Sequence, residues 1–442
     1  MHVVVVGGGW AGLAAAVDLC CHGVRVTLLE AASHLGGRAR SVAHNGQLID
    51  NGQHLLLGAY RDTLRLLQTV GVAETAVLQR QPLHLLLKSP RQPDVRIRCP
   101  ALPAPLHLIA GVLRAEGLTM ADRLAALPLC RSVLTANFKV EQDISVAAWL
   151  TRHKQPSALI RILWQPLCLA ILNTPVESAS AQVFIRVLKD AFARQRDDSD
   201  LLFSRVDLGS IFPTPAQRFI ETHGGAVILN QRVKALRLHN NAGAVQGVTT
   251  TTQEINADHV ILAVPPVSCQ RLLEPHTNLC GIAQRLAQIS HEPICTVYVQ
   301  YPPHIKLEIP MIGLLDTTSQ WVFDRRLYGP EQAGLMAVVI SGPGEHMTLS
   351  NPALSARVVK ELGQIFTEWP APIHDAANAV IIREKRATFS CRTGIDSLRP
   401  APTLPVRGIW LAGDYTDTGY PATLEGAVRS GLQCARTLLN AM

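Results

Sequence analysis

Gly7, Gly9 and Gly12 stand in a G-x-G-x-x-G spacing directly after Val3-Val4-Val5-Val6, and Glu30 closes a second apolar run, Val24-Arg25-Val26-Thr27-Leu28-Leu29. Residues of these types at this spacing can hold a dinucleotide. Gly7 permits a tight turn after a strand, Gly9 lets the backbone approach a pyrophosphate, and Gly12 lets the following helix lie close to the sheet. Phosphates are most stable at that helix start, where N–H groups are unpaired and the macrodipole is positive. Glu30, 18 residues past Gly12, has the spacing of a carboxylate that accepts hydrogen bonds from ribose hydroxyls. It would repel a 2′-phosphate, which favours FAD or NAD over NADP. Gly36-Gly37-Arg38 then joins two small residues to a guanidinium, suited to a second backbone approach to phosphate with a counter-ion. The run Asp50-Asn51-Gly52-Gln53-His54 adds two titratable side chains in one short loop.

The elements that must position these residues begin with a β-α-β unit over the first thirty positions. Strand and helix signals of the same kind return at Pro215 to His223, Ala226 to Leu229, Val233 to Leu238, and Val260 to Val264 before Pro265-Pro266. They return again at Ile409-Trp410-Leu411, which turns at Ala412-Gly413-Asp414 and leads to a closing helix, Glu425 to Leu439. Continuous apolar strands of this kind belong to parallel sheets covered on both faces. Between them lie apolar helical patterns at Leu106 to Leu113, Leu124 to Leu134, Ala158 to Leu172 and Val183 to Arg194, and β-rich pieces at Thr296 to Val299 and Leu335 to Ile340. The expected fold is α/β, with a Rossmann-like domain assembled from segments 1–82, 209–266 and 381–442. It is interleaved with an α+β substrate-binding domain from 83–208, mostly helical, and 267–380, β-containing.

The 442 residues suffice for two domains with a sizeable core. Ten cysteines without C-x-x-C, and sixteen histidines without H-x-x-x-H or H-E-x-x-H, lack the spacing of zinc or redox-dithiol sites, so no metal is expected. Buried thiols in a reducing cytosol explain the cysteines better. The net charge of +7 comes from scattered Lys and Arg, with no basic cluster interleaved with aromatics, which argues against nucleic-acid binding. A mildly basic chain that is 48% hydrophobic suits contact with an anionic membrane face. The N-terminus lacks the basic region of a secretory signal, and no segment reaches the roughly 20 apolar residues of a spanning helix. The expected location is cytoplasmic, peripheral on the inner face of the cytoplasmic membrane.

Four separated motifs together resemble the flavin-dependent amine oxidase and phytoene desaturase superfamily over nearly the whole chain. They are the Gly7/Gly9/Gly12/Glu30 unit, Gly36-Gly37-Arg38, the strand around Val233, and Ala412-Gly413-Asp414 followed by Tyr420-Pro421-Ala422-Thr423-Leu424-Glu425-Gly426-Ala427-Val428-Arg429-Ser430-Gly431. The resemblance implies a Rossmann-like FAD-binding domain in which Glu30 holds the adenosine ribose and Arg38 the pyrophosphate. It assigns Val233 to the adenine through its backbone, Asp414 to the ribityl or pyrophosphate region, and backbone near Leu424 to the flavin N1/O2 edge. Further cofactor contacts are implied for Trp10 and Ala11 at the first helix start, Ala31, Gly37, and the Gly52, Gln53 and His54 loop. A helix N-terminus at Leu424 would also stabilise an anionic reduced flavin on physical grounds alone.

Within that superfamily, Ile49-Asp50-Asn51-Gly52-Gln53-His54 continuing to Gly58-Ala59-Tyr60 is similar to the hydroxysqualene dehydroxylase family. That resemblance implies removal of an allylic hydroxyl from a C30 polyprenoid, with reduced FAD as electron source, supplied by an unidentified donor and in transient contact with squalene-pathway enzymes. A carotenoid-type desaturase is the alternative, and a flavin amine oxidase comes third. The leaving hydroxyl needs a proton, for which His54 is the first candidate and Asp50 the second. The competing reading has His54 hydrogen-bonded to a backbone carbonyl or the flavin and Asp50 capping the turn. Glu425 and Arg429, four apart on a helix, read as an intrahelical pair. The apolar insertions suit a pocket for a hydrocarbon chain, with Pro100 to Leu113 as the membrane-touching portal.

Overall fold

The protein is described by a computed structural model covering residues 1–44, 46–135, 137–239, 243–373 and 379–441. Strands with valine, isoleucine and leucine on both faces form a parallel five-stranded sheet. It runs Ala226–Ile228, Arg25–Leu29, His2–Val6, His259–Leu262, Ile409–Leu411 across its width. Its register aligns Val4 with Thr27 and Val260, so the two ends of the chain meet in one layer. The first helix, Trp10–Cys21, and the closing helix, Leu424–Asn440, pack on one another through Leu13, Val17, Val428 and Leu432. Both expected nucleotide-binding segments therefore face the same carboxyl edge of the sheet. This is the Rossmann-like α/β class that the sequence implies.

A seven-stranded sheet forms the second layer, ordered Val380–Phe389, His291–Gln300, Leu335–Ser341, Trp321–Asp324, Met311–Leu314, His84–Lys88, Val95–Arg98. One face, with Cys295, Val297 and Val299, packs on the helix Asn351–Ile365. The other, with Tyr298, Ala337 and Val339, faces the helices Leu106–Leu113, Met120–Thr135 and Ala181–Phe192. Two features depart from the sequence reading. His84–Lys88 and Val95–Arg98 lie in the block expected to be mostly helical, yet they end the sheet as an antiparallel pair. All of Val380–Phe389 but its first residue falls in the segment 381–442 assigned to the nucleotide unit, yet it pairs with His291–Gln300 on both sides of a bulge. Ten-residue strands that pair this fully carry their neighbours with them.

The apolar stretch 158–172 is helical, but Ile160–Trp164 adopts a π turn. Pro166 has no N–H to continue the α ladder, and a π turn is one way a helix absorbs such a break. Asn173 ends the helix in the left-handed region at φ 49°. The helix leans on its neighbour through a relay, Trp164 Nε1 to Gln155 Oε1 at 3.0 Å and Gln155 Nε2 to Ala125 O at 2.8 Å.

Candidate functional site: a cofactor cradle opening into an apolar chamber

Gly7 ends the first strand at φ 114°, and a Cβ there would meet the Ala263 carbonyl oxygen at 2.5 Å. At Gly12 a Cβ would meet the Gly7 oxygen at 2.0 Å, so that glycine serves helix-to-strand packing and stays out of the cavity wall. Gly9 differs. A Cβ there would find only Gly37 Cα, at 3.9 Å, yet Gly9 lines the cavity. The protein does not need glycine at position 9, whereas a ligand in close contact with the backbone does.

Glu30 is held ready at the cradle's far side: Gly8 N donates to Oε2 at 2.7 Å and Ala32 N to Oε1 at 2.8 Å. Each oxygen keeps a lone pair for a ribose hydroxyl. Ala31 beside it and Val233 across from it line the same wall, as do Trp10 and Ala11. Trp10 is fixed by Nε1 donating to Ala39 O at 3.2 Å and by its ring against Phe212. Arg38 and Asp414 are joined at 2.7 Å, and Arg38 also donates to the Ala387 carbonyl at 2.8 Å. Gly37, Arg38 and Asp414 line the cavity together. Leu424 lines it at the start of the closing helix, where the Thr423 hydroxyl caps Gly426 N at 3.0 Å.

Gly52, Gln53 and His54 also reach the wall. The half-buried His54 ring hydrogen-bonds through Nδ1 to Gly52 O at 3.1 Å. That carbonyl can only accept, so Nδ1 carries the proton of the neutral ring and Nε2 is left as an acceptor. Burial pushes the imidazole pKa below its usual 6.5, and Arg38 adds to the effect against the opposing pull of Gly52 O and Asp50. Asp50 corrects the sequence reading. Its side chain is fully buried outside the cavity wall, accepting from Leu208 N at 2.9 Å and paired with the equally buried Arg325 at 3.1 Å. Both carboxylate oxygens are committed to structure, which removes Asp50 from the candidate acids.

Sequence reasoning missed Arg325. Its Nη1 bonds both Asp50 and, at 2.9 Å, Gln53 Oε1, its Nε bonds Gln332 at 2.6 Å, and its guanidinium lies 3.6 Å from the Tyr328 ring centroid. It thus ties the 50–54 loop to the turn after Trp321–Asp324, the central strand of the second sheet. Arg399 was missed too: wholly buried, it clamps the loop after Asp414 through the carbonyls of Asp414 and Thr416. Neither arginine has a local signal, because each acts on residues distant in sequence or on main-chain carbonyls. Glu425 and Arg429 form the expected pair at 2.9 Å, and Glu425 also caps Thr63 N.

The cradle opens into one cavity of about 1020 Å³, at the top of the range of about 300–1,000 Å³ for a single small-molecule site. Its far part runs under the second sheet between Leu85, Ile109, Leu129, Trp149, Leu163 and Phe192. Among the described residues, every wall position from Asn51 to Gln231 carries an uncharged side chain, the titratable His54 included as the neutral ring.

A cradle for a dinucleotide that ends in an apolar chamber is a flavoenzyme arrangement, and the family of flavin containing amine oxidoreductases matches residues 10–439. The chain belongs to that family. Like its relatives, this amine oxidoreductase family member is an FAD-dependent oxidoreductase. It is 28% identical over 449 residues to the hydroxysqualene dehydroxylase of Rhodopseudomonas palustris, covering 99% of this chain and 98% of that one. It is 26% identical over 456 residues to the 15-cis-phytoene desaturase of Solanum lycopersicum, covering 99% and 78%. The cyclohexylamine oxidase of Brevibacterium oxydans shares the fold, with a TM-score of 0.69, 17% identity, and coverage of 100% of this chain and 99% of that one. The residues fit FAD: an open face at Gly9, an oriented carboxylate at Glu30, a guanidinium at Arg38 and a helix start at Leu424.

Proposed function

We propose that the enzyme reductively removes the allylic hydroxyl of a long polyprenoid alcohol of the hydroxysqualene type. The observation that carries this is the uncharged apolar chamber opening onto the flavin end of the cavity. Among the described residues, the carboxylates that line the cavity, Glu30, Asp414 and Glu384, belong to the cradle and its Asn51 edge, so an amine seated in the chamber itself would bury a cation without compensation, at a cost of several kcal/mol. A C30 hydrocarbon chain loses nothing there and gains about 25 cal/mol per Å² of apolar surface removed from water. The end-to-end match with a dehydroxylase supports the same reading, and the match with phytoene desaturases keeps desaturation of a polyene as the second.

FAD, when bound and reduced, supplies the hydride. The carbon–oxygen bond breaks, the allylic carbon takes that hydride, and the hydroxide leaves as water after gaining one proton. The chain's task is to deliver that proton and exclude water. His54 fits the first role only as imidazolium, because its neutral form presents an acceptor at Nε2. The helices 106–113 and 120–135 serve the second by closing the chamber with Val112, Leu129 and Val133.

The same two helices carry the proposed contact with an anionic membrane. Leu106 is 54%, Met120 62% and Leu124 50% exposed, flanked by exposed Leu102, Arg114, Arg131 and Lys139. Leu134, 40% exposed, also lines the cavity, which marks the mouth on this face. Among the described residues no helix is long and apolar enough to cross a membrane, so the contact is interfacial. The deciding experiment is anaerobic incubation of photoreduced holoenzyme with hydroxysqualene and, separately, with phytoene. Flavin reoxidation with squalene as product supports the reading. Inertness toward the alcohol, with oxidised enzyme desaturating phytoene, overturns it.

A further inference from the structure

We propose that the Thr296 hydroxyl seats the alcohol oxygen of the substrate; this rests on the dehydroxylase reading and names the contact that would make the site choose an alcohol over a hydrocarbon. Thr296 lies midway along His291–Gln300, with Val339 and Ile382 as its cross-strand partners on either side. Its neighbours Cys295 and Val297 face the helix layer, so strand alternation turns Thr296 toward the cavity, which it lines with Ile294. A central strand position flanked by valine and isoleucine is one that valine fills equally well, since threonine has the same shape with a methyl replaced by hydroxyl.

That hydroxyl is 1% exposed as part of its residue, and Oγ1 has no hydrogen-bond partner among the described residues. A buried hydroxyl left unpaired is destabilising, because it has given up its bonds to water for nothing. The polar groups nearby on this sheet are matched, Thr388 Oγ1 accepting from Asn173 Nδ2 at 3.0 Å and Asn173 Oδ1 from Gly342 N at 2.7 Å, while the other unpartnered hydroxyl of the lining among the described residues, Tyr420 Oη, sits before the closing helix. Thr296 therefore keeps both a donor and an acceptor for something that enters the cavity. Glu384, on the neighbouring strand, also lines the cavity and accepts from Asn51 Nδ2 at 3.4 Å; the apolar chamber beyond admits a neutral ligand, and an alcohol satisfies donor and acceptor at once. The position is apt for chemistry. A Cβ on Gly52 would come within 3.7 Å of Oγ1, so the hydroxyl lies against the loop that carries His54.

The test compares FAD-loaded wild type, Thr296→Val and Thr296→Ser by ligand-induced change in flavin absorbance, with no turnover required. Thr296→Val is expected to keep FAD occupancy and to melt no lower than wild type. It should bind hydroxysqualene about five- to tenfold more weakly while binding squalene unchanged. Thr296→Ser should retain the preference. Equal weakening for both ligands would reduce Thr296 to packing, loss of FAD would assign the hydroxyl to the cofactor, and unchanged discrimination would dismiss it; each overturns the proposal. If wild type prefers the alcohol through Thr296 but reduced enzyme fails to convert it, the site stands and the reaction reading falls.

Discussion

Replacing Asp50 with alanine separates a buried structural ion from a catalytic one. The Asp50 and Arg325 side chains are both 0% exposed, and among the described residues the carboxylate is the guanidinium's one anionic partner at 3.1 Å, with the Leu208 N–H on its other oxygen. Removing it leaves a buried cation facing, among the described residues, the neutral acceptors Gln53 and Gln332 and the Tyr328 and Tyr298 rings. Breaking a buried pair from one side costs about 3–5 kcal/mol. With an unfolding entropy of about 2.1 cal/mol/K per residue, this corresponds to about 3–5 °C in Tm if the 442-residue chain unfolds as one unit. Scanning calorimetry of the FAD-saturated variant measures it. The double variant Asp50→Ala, Arg325→Met removes both charges and should recover most of the loss, since the penalty belongs to the stranded charge. An Asp50→Ala protein with wild-type Tm and severely slowed turnover would refute this account and return Asp50 to the chemistry.

Gly9→Ala should fold normally, because nothing in the protein obstructs the new methyl, yet lose FAD on gel filtration; Gly12→Ala, whose methyl would strike the Gly7 carbonyl, should instead lower the Tm of the apoprotein. The His54 pKa lies below 6.5 and the active form is the protonated one, so kcat/KM should rise as pH falls through that depressed value, with the inflection absent in His54→Gln; a flat profile between about pH 5 and pH 8 rules out the acid role. By linkage, the same lowered pKa means that His54 favours the fold at neutral pH and opposes it as pH falls, when the buried ring must take a proton. Leu106→Asp with Leu124→Asp should abolish sedimentation with anionic phosphatidylserine vesicles while leaving FAD content intact, and undiminished sedimentation would place the membrane contact elsewhere.

Much of the cradle could be read from the chain because its parts are local. Val3–Val6, Val260–Leu262 and Ile409–Leu411 are apolar on both faces, a pattern that short buried parallel strands share with little else. Leu106–Leu113 has the bounds that its apolar pattern suggests. Val95-Arg96-Ile97-Arg98 does alternate, with burial to match, but four residues amid prolines and helical patterns gave the strand signal too little length to stand out. Asp50 illustrates a deeper limit. Its partner Arg325 lies 275 positions away, so a carboxylate that looks reactive beside His54 reveals its structural employment only when the chain is folded. Thr296 is the converse: the strand was legible, but an unpartnered hydroxyl is a statement about three-dimensional neighbours.

The strand Val380–Phe389 has a consequence for protein engineering. It is hydrogen-bonded within the second sheet, yet the Ala387 carbonyl just before its end steadies Arg38, whose other arm grips Asp414. A chimera that grafts a foreign substrate-binding half onto this flavin-binding half with a junction before residue 380 keeps Ala387 with its own Arg38 but parts the strand from its partner His291–Gln300. Junctions placed after Phe389 keep strand and brace from one parent but leave the arginine from the other, so transplanting specificity here means transplanting Arg38 and its carbonyl as a matched set.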